Sequence, residues 1–169
     1  MRRLASYLRS MTGFSPPSRL FLLSMVVLGL AQSISWLVLN FYLKALRLGE
    51  TDIGRINSVP SIVLVTLGIF LGRWSDRWGR RRSLIAGAAL GVASLAGLSL
   101  STGMGSLAAS AAIGGIGGLL LQGNSPPFMA ENSTEEERTR LFAVQAALLT
   151  GTGFLGSLAG GGLPRLFEW

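Results

Sequence analysis

Five long apolar runs, each of roughly twenty residues, constrain this chain of 169 residues more than any other feature. A bilayer core is about 30 Å thick and a helix rises about 1.5 Å per residue, so a run of that length crosses it once. The runs cover residues 20–43 ("LFLLSMVVLGLAQSISWLVLNFYL"), 53–71, 84–101, 105–129 and 140–158. The expected fold class is an all-α membrane protein with five transmembrane helices. Only 14% of residues are charged, where a soluble domain carries about a quarter. The last two runs are rich in glycine, which weakens a soluble helix but lets membrane helices approach closely. The second run opens with "GETDIG", where Thr51 or Asp52 is placed to cap the helix.

The first run has a basic flank of Arg2, Arg3, Arg9 and Arg19, and "GLAQS" offers a signal-type cleavage site after Ala31. The apolar stretch continues through "WLVLNFYL", beyond the length of a signal core, so it reads as a retained anchor. Basic residues then set the orientation. With the N-terminus in the cytoplasm, the inner side holds Arg2, Arg3, Arg9, Arg19, Arg73, Arg77, Arg80, Arg81, Arg82, Arg138 and Arg140. The outer side holds Lys44, Arg47, Arg55 and Arg165. Residues 1–19 are therefore expected to be a cytoplasmic segment, 20–161 the transmembrane region, and 162–169 an extracytoplasmic end. The net charge of +7 follows from this arrangement of arginines at the ends of apolar runs, and nucleic acid is not an expected partner. The chain has no cysteine and no histidine, which removes disulfides, thiolate or imidazole metal ligands and histidine proton relays. No cofactor or metal is expected.

Basic anchor loops need arginines in no particular order, yet "GRWSDRWGRRRSL" (Gly72 to Leu84) is ordered. Asp76 stands among Arg73, Arg77, Arg80, Arg81 and Arg82. A carboxylate at the membrane edge is costly unless paired. Arg80 lies four residues on and reaches it if Gly79 allows a tight turn. Gly72 offers a flat patch for helix contact. The stretch resembles the "G-x-x-x-D-R-x-G-R-R/K" signature between the second and third helices of the major facilitator superfamily of secondary transporters. Order, position and cytoplasmic side agree. That resemblance implies an N-terminal half-bundle in which Gly72, Asp76, Arg77, Gly79, Arg80 and Arg81 form a gating latch. Asp76 would meet the positive N-terminal end of a helix in the other half, closing the cytoplasmic side, with Arg80 holding it in place.

The fourth connection, "PPFMAENSTEEERTRLF", contains two capping boxes, Ser133 with Glu136 and Thr134 with Glu137, so a helix starts here. By the same resemblance, Glu131 and Arg138 join the charge network of the latch. In "GTGFLGSLAGGG", Gly156 and Gly160 form a small-xxx-small pair for helix packing. The stretch is similar to the family's fifth-helix "G-P-x-x-G-G", with Ser157 in place of the proline. The family's fourth-helix arginine has no counterpart near Leu119, so no coupling ion is assigned.

Substrate contacts are sought on polar faces, since a polar residue on a membrane helix turns toward water, ligand or another helix. Gln32, Trp36 and Asn40 fall at i, i+4 and i+8 on the first helix. Asn57 and Arg55 on the second and Gln122 and Asn124 on the fourth are further candidates. Each polar residue equally suits hydrogen bonding between helices. An enzyme reading has little support, because "GGIGGLLLQG" lacks the dinucleotide order and no carboxylate pair is placed for acid–base work. The expectation is an N-terminal part of a two-half transporter, inactive alone. Its partners would be the lipid bilayer, a small-molecule solute and a missing C-terminal half, and its location the cell membrane. The alternative is a non-transporting multi-pass scaffold.

Overall fold

The structure, a computed structural model, describes the backbone of residues 15–166 and the side-chain surroundings of residues 15–159 and 161. Arg2, Arg3 and Arg9 lie outside the described residues, as do the surroundings of Gly160 and the end of the chain. Among the described residues five helices follow one another: α1 (Pro16–Ala45), α2 (Glu50–Trp78), α3 (Arg80–Leu100), α4 (Met104–Glu131) and α5 (Glu135–Leu166). Each is long and apolar enough to cross a membrane.

The helices run past the apolar stretches because local capping, rather than hydropathy, decides where they stop. Ser15 opens α1, its Oγ accepting the Ser18 N–H at 3.4 Å. Pro16 takes the first helical position, where a missing N–H costs nothing. At the far end Leu48 N–H donates to Leu43 O and Arg47 N–H to Lys44 O, a Schellman closure. Arg47 holds the left-handed position with φ 59°, a place usually given to glycine. Leu48 then packs on the cluster that contains Leu43.

For α2 the expected cap is corrected. The N-cap is Gly49, which has no side chain to offer, and neither Thr51 nor Asp52 caps. The Asp52 N–H already donates to Gly49 O, so Asp52 belongs to the first turn. There its charge, with that of Glu50, suits the positive end of the helix. Its Oδ1 also accepts from Arg55 Nη1 at 3.1 Å, an exposed pair that contributes little. Of the two capping boxes before α5, Thr134 and Glu137 form the reciprocal one, with both bonds at 3.4 Å. Ser133 instead donates back to Met129 O at 2.7 Å.

The chain divides into two compact units, residues 38–128 and residues 1–37 with 129–169. In the first, Leu43, Ile53, Ile56, Leu98, Leu107 and Ala111 form the apolar cluster, and Tyr42 Oη donates to Ser101 O at 2.9 Å. The α3–α4 seam of this unit is made of small residues. A Cβ on Gly87 would stand 2.9 Å from Gly117 O, and one on Gly117 would stand 2.8 Å from Gly87 O. Flanking this backbone contact, Gly114 faces Ser94 and Gly97 faces Ser110, while Ser94 Oγ donates to Ser110 O at 2.7 Å. In the second unit α1 and α5 interlock similarly, Gly29 against Thr152 and Gly156 against Ser33. Ser15 and Ser18 donate to Asn132 O at 2.7 and 3.0 Å, tying the start of α1 to the turn before α5.

Candidate functional site

The ordered arginine stretch is not a loop. Helix α2 continues through Arg73, Trp74 and Arg77 to Trp78, and α3 starts at Arg80. Tryptophan and arginine tolerate a helix, so the interruption falls on one residue, Gly79, with φ 93° and ψ 137°. Only glycine adopts that backbone readily. The turn is closed by Gly79 N–H donating to Ser75 O and Ser83 N–H donating to Gly79 O, both at 3.1 Å.

A buried polar tie fixes this corner to α4. Ser75 Oγ donates to Asn124 Oδ1 at 2.6 Å, and Asn124 Nδ2 donates to Leu120 O at 2.7 Å. Ser83, fully buried, donates through Oγ to Gly79 O at 3.1 Å. The sequence reading did not single out Ser75 or Ser83. Their signal is weak: each is merely a small polar residue four positions from Gly79.

At about 100° per residue, the buried Ser75 turns one face of α2 into the fold, and Gly72 and Asp76 share the next. That second face lines a cleft of about 620 Å³ between α2 and α4, with Arg80 at its edge and Gln122, Gly123 and Pro127 opposite. Gly72 has open space where a Cβ would stand, and Asp76 is exposed. Pro126 and Pro127 lie inside α4. Having no N–H, they deprive the carbonyls of Gln122 and Gly123 of their helical donors, and both of those residues line the cleft. The cleft is thus lined by a flat glycine patch, an aspartate and an arginine.

The other expected site residues fall elsewhere. Asn40 and Asn57 meet each other, Asn57 Nδ2 donating to Asn40 Oδ1 at 3.1 Å. The remaining acceptor, Asn57 Oδ1, is buried with no hydrogen-bond partner. Asn124 has both ends of its amide engaged within the protein, whereas Gln122 is exposed. Gln32 and Trp36 are exposed on α1 in the other unit. Also in that unit, Arg138 Nη2 donates to Ala130 O at 3.2 Å, placing its charge at the negative end of α4. Its Nε is buried without a partner, and Glu131 is exposed on the same helix end.

The sequence profile described as Major Facilitator Superfamily matches residues 21–169. Multidrug resistance protein 2 of Bacillus subtilis (strain 168) is 24% identical over 135 residues, covering 77% of this chain and 34% of the Bacillus protein. The chain therefore spans about a third of the length of the curated relative it matches. No solved structure matches it.

Proposed function

The chain belongs to the major facilitator superfamily, and from that membership we propose that it forms the N-terminal part of a secondary-active transporter. In this reading a small solute crosses the cell membrane by alternating access, one half of the protein rocking against the other. The observation that supports it most directly is the Gly72–Asp76 face of α2, open on the cleft and held in place from behind by Ser75 and Asn124. A helix of the C-terminal half would lie along Gly72 and present its N-terminal end to Asp76, where the partial positive charge favours a carboxylate. Arg77, Gly79, Arg80 and Arg81 shape and charge the corner around it, and Glu131 with Arg138 extend the charge network.

Solute contacts are proposed for Gln32 and Trp36 on α1 and, within residues 38–128, for Asn40, Asn57 and Gln122, whereas Asn124 is taken up by its tie to Ser75. Gly156 and Gly160 serve packing. The arginine distribution supports a cytoplasmic N-terminus in this reading. Because the Bacillus relative is named as a multidrug resistance protein, drug-like organic compounds are the first panel to try.

The test is a chimaera in which this chain replaces the matched third of the Bacillus protein, compared in liposomes with the 169-residue chain alone. Saturable uptake of a panel compound by the chimaera, absent for the chain alone and lost on Asp76→Asn, is the expected result. Equal transport by the chain alone would remove the need for an opposing half. Transport by the chimaera that ignores Asp76 would remove the latch.

A further inference from the structure

The face of α2 turned away from the cleft combines aromatic and basic residues that the packing of the helix leaves exposed. Going round the helix from Arg73 at about 100° per residue, Arg77, Phe70, Trp74, Leu67 and Trp78 all fall within an arc of about 140°. Gly72, Ser75 and Asp76 lie outside that arc. Trp74 and Trp78 stack with ring centroids 4.5 Å apart and 25° between their planes. Even so, they remain 42% and 45% exposed. Phe70 and Leu67 continue the lane toward the middle of the helix at 72% and 38% exposed, and Arg73 and Arg77 are exposed beside the rings. Along α2 the apolar lane therefore comes first, and beyond it the two guanidinium groups alternate with the two stacked rings (Arg73, Trp74, Arg77, Trp78).

We propose that this face is a binding site for a single anionic phospholipid, with its phosphate on Arg73 and Arg77. The Trp74–Trp78 stack flanks the headgroup at the level of the two arginines, and one acyl chain runs along Phe70 and Leu67 toward the middle of the helix. Three physical points select this occupant. A guanidinium binds a phosphate through two parallel N–H donors, which an ammonium cannot do. Tryptophan places an apolar ring and an N–H at the level where hydrocarbon gives way to headgroups. A protein helix on this face would have to bury two arginines, each needing a partner charge in a desolvated setting, whereas the lipid brings that charge while leaving the headgroup wet. The site is built from α2 alone and does not depend on the transport reading, since its readout is lipid contact.

The 169-residue chain carrying Trp36→Phe and Trp169→Phe reports only from Trp74 and Trp78. In phosphatidylcholine vesicles containing a minor fraction of brominated lipid, quenching by brominated phosphatidylglycerol is expected to exceed that by brominated phosphatidylcholine on the order of tenfold at equal fraction. Arg73→Gln with Arg77→Gln should bring the two lipids close to parity. Arg81→Gln with Arg82→Gln, an equal loss of charge nearby, should leave the preference intact. The Arg73→Lys and Arg77→Lys pair keeps the charge and hence insertion, and should retain only part of the preference. Four outcomes would overturn the site. Equal quenching in the parent chain would leave only bulk lipid. Absence of quenching by either lipid would mean that protein covers the face. Equal sensitivity to both glutamine pairs would mean a diffuse surface potential, and displacement by inorganic phosphate would mean a free-anion site.

Discussion

Two glycines of the signature, Gly72 and Gly79, make opposite demands, and replacing each with alanine separates them. At Gly79 a Cβ would meet nothing within 4 Å, so lack of space cannot be the obstacle. The obstacle is the backbone, at φ 93° and ψ 137°, a region populated almost only by glycine, where another residue costs about 1–3 kcal/mol. Gly79→Ala is therefore expected to destabilise the α2–α3 corner by about 2 kcal/mol. Gly72 also has open space, but it sits inside α2 with ordinary helical backbone. Gly72→Ala removes the entropic penalty of a helical glycine and should stabilise the isolated chain by about 0.5–1 kcal/mol. The stacked Trp74–Trp78 pair next to the corner supplies a local probe. Its near-ultraviolet circular dichroism, followed through an SDS titration of the protein in mild detergent, should show the midpoint fall for Gly79→Ala and rise for Gly72→Ala. If both variants shift the midpoint in the same direction, the distinction between backbone strain and open surface is wrong. In the chimaera described above the sign for Gly72 should reverse in function, because the added methyl would then meet an opposing helix.

Other consequences are simpler to state. Ser75→Ala leaves buried Asn124 Oδ1 without its donor and should destabilise by about 1 kcal/mol, between the small average for membrane hydrogen bonds and the soluble value. In a double-mutant cycle with Asn124→Ala, the coupling should exceed the roughly 0.3–0.5 kcal/mol scatter of independent sites, and additivity would remove the tie. Arg47→Gly relieves a left-handed arginine at the end of α1, a strain of about 1–2 kcal/mol partly offset by the entropy of a new glycine. A net gain of about 0.5–1 kcal/mol in the same titration is expected, and a loss would contradict the assigned turn. For topology, single cysteines at Ser106 and Arg81, both exposed, should react oppositely with an impermeant thiol reagent on intact cells. Labelling is expected at position 106 and protection at 81, and the reverse would invert the orientation.

The spans were legible because a hydrocarbon layer sets a length that any crossing helix must meet, and five apolar runs met it. Their ends were not, since hydropathy fades before the hydrogen-bonded ladder does. Thus α2 runs on to Trp78 and α5 starts at Glu135, each boundary set by a single turn or cap. Gly79 was legible as the pivot because a glycine between tryptophan and arginine has a conformational reason to be there. Ser75 was not, because a serine's value depends on whether an amide waits opposite, and Asn124 is 49 residues away. The same dependence explains the asparagines. Sequence showed that Asn40, Asn57 and Asn124 needed polar company, but only the packing shows that the first two find it in each other and the third in Ser75.

The α3–α4 seam bears on how this sequence is free to drift. Where Gly97 faces Ser110 and Gly114 faces Ser94, the obstacle to a larger residue is a side chain, so a gain on one helix can be matched by a trim on the other. Such positions can exchange, serine for glycine, in two reciprocal steps. Between Gly87 and Gly117 the obstacle is the carbonyl oxygen of the opposite glycine, and no substitution trims a carbonyl. A methyl added at either position can be accommodated only by moving the helices apart, which would loosen the neighbouring pairs together. Descendants of this chain should therefore show paired exchange at 94 with 114 and at 97 with 110, and a fixed glycine at both 87 and 117.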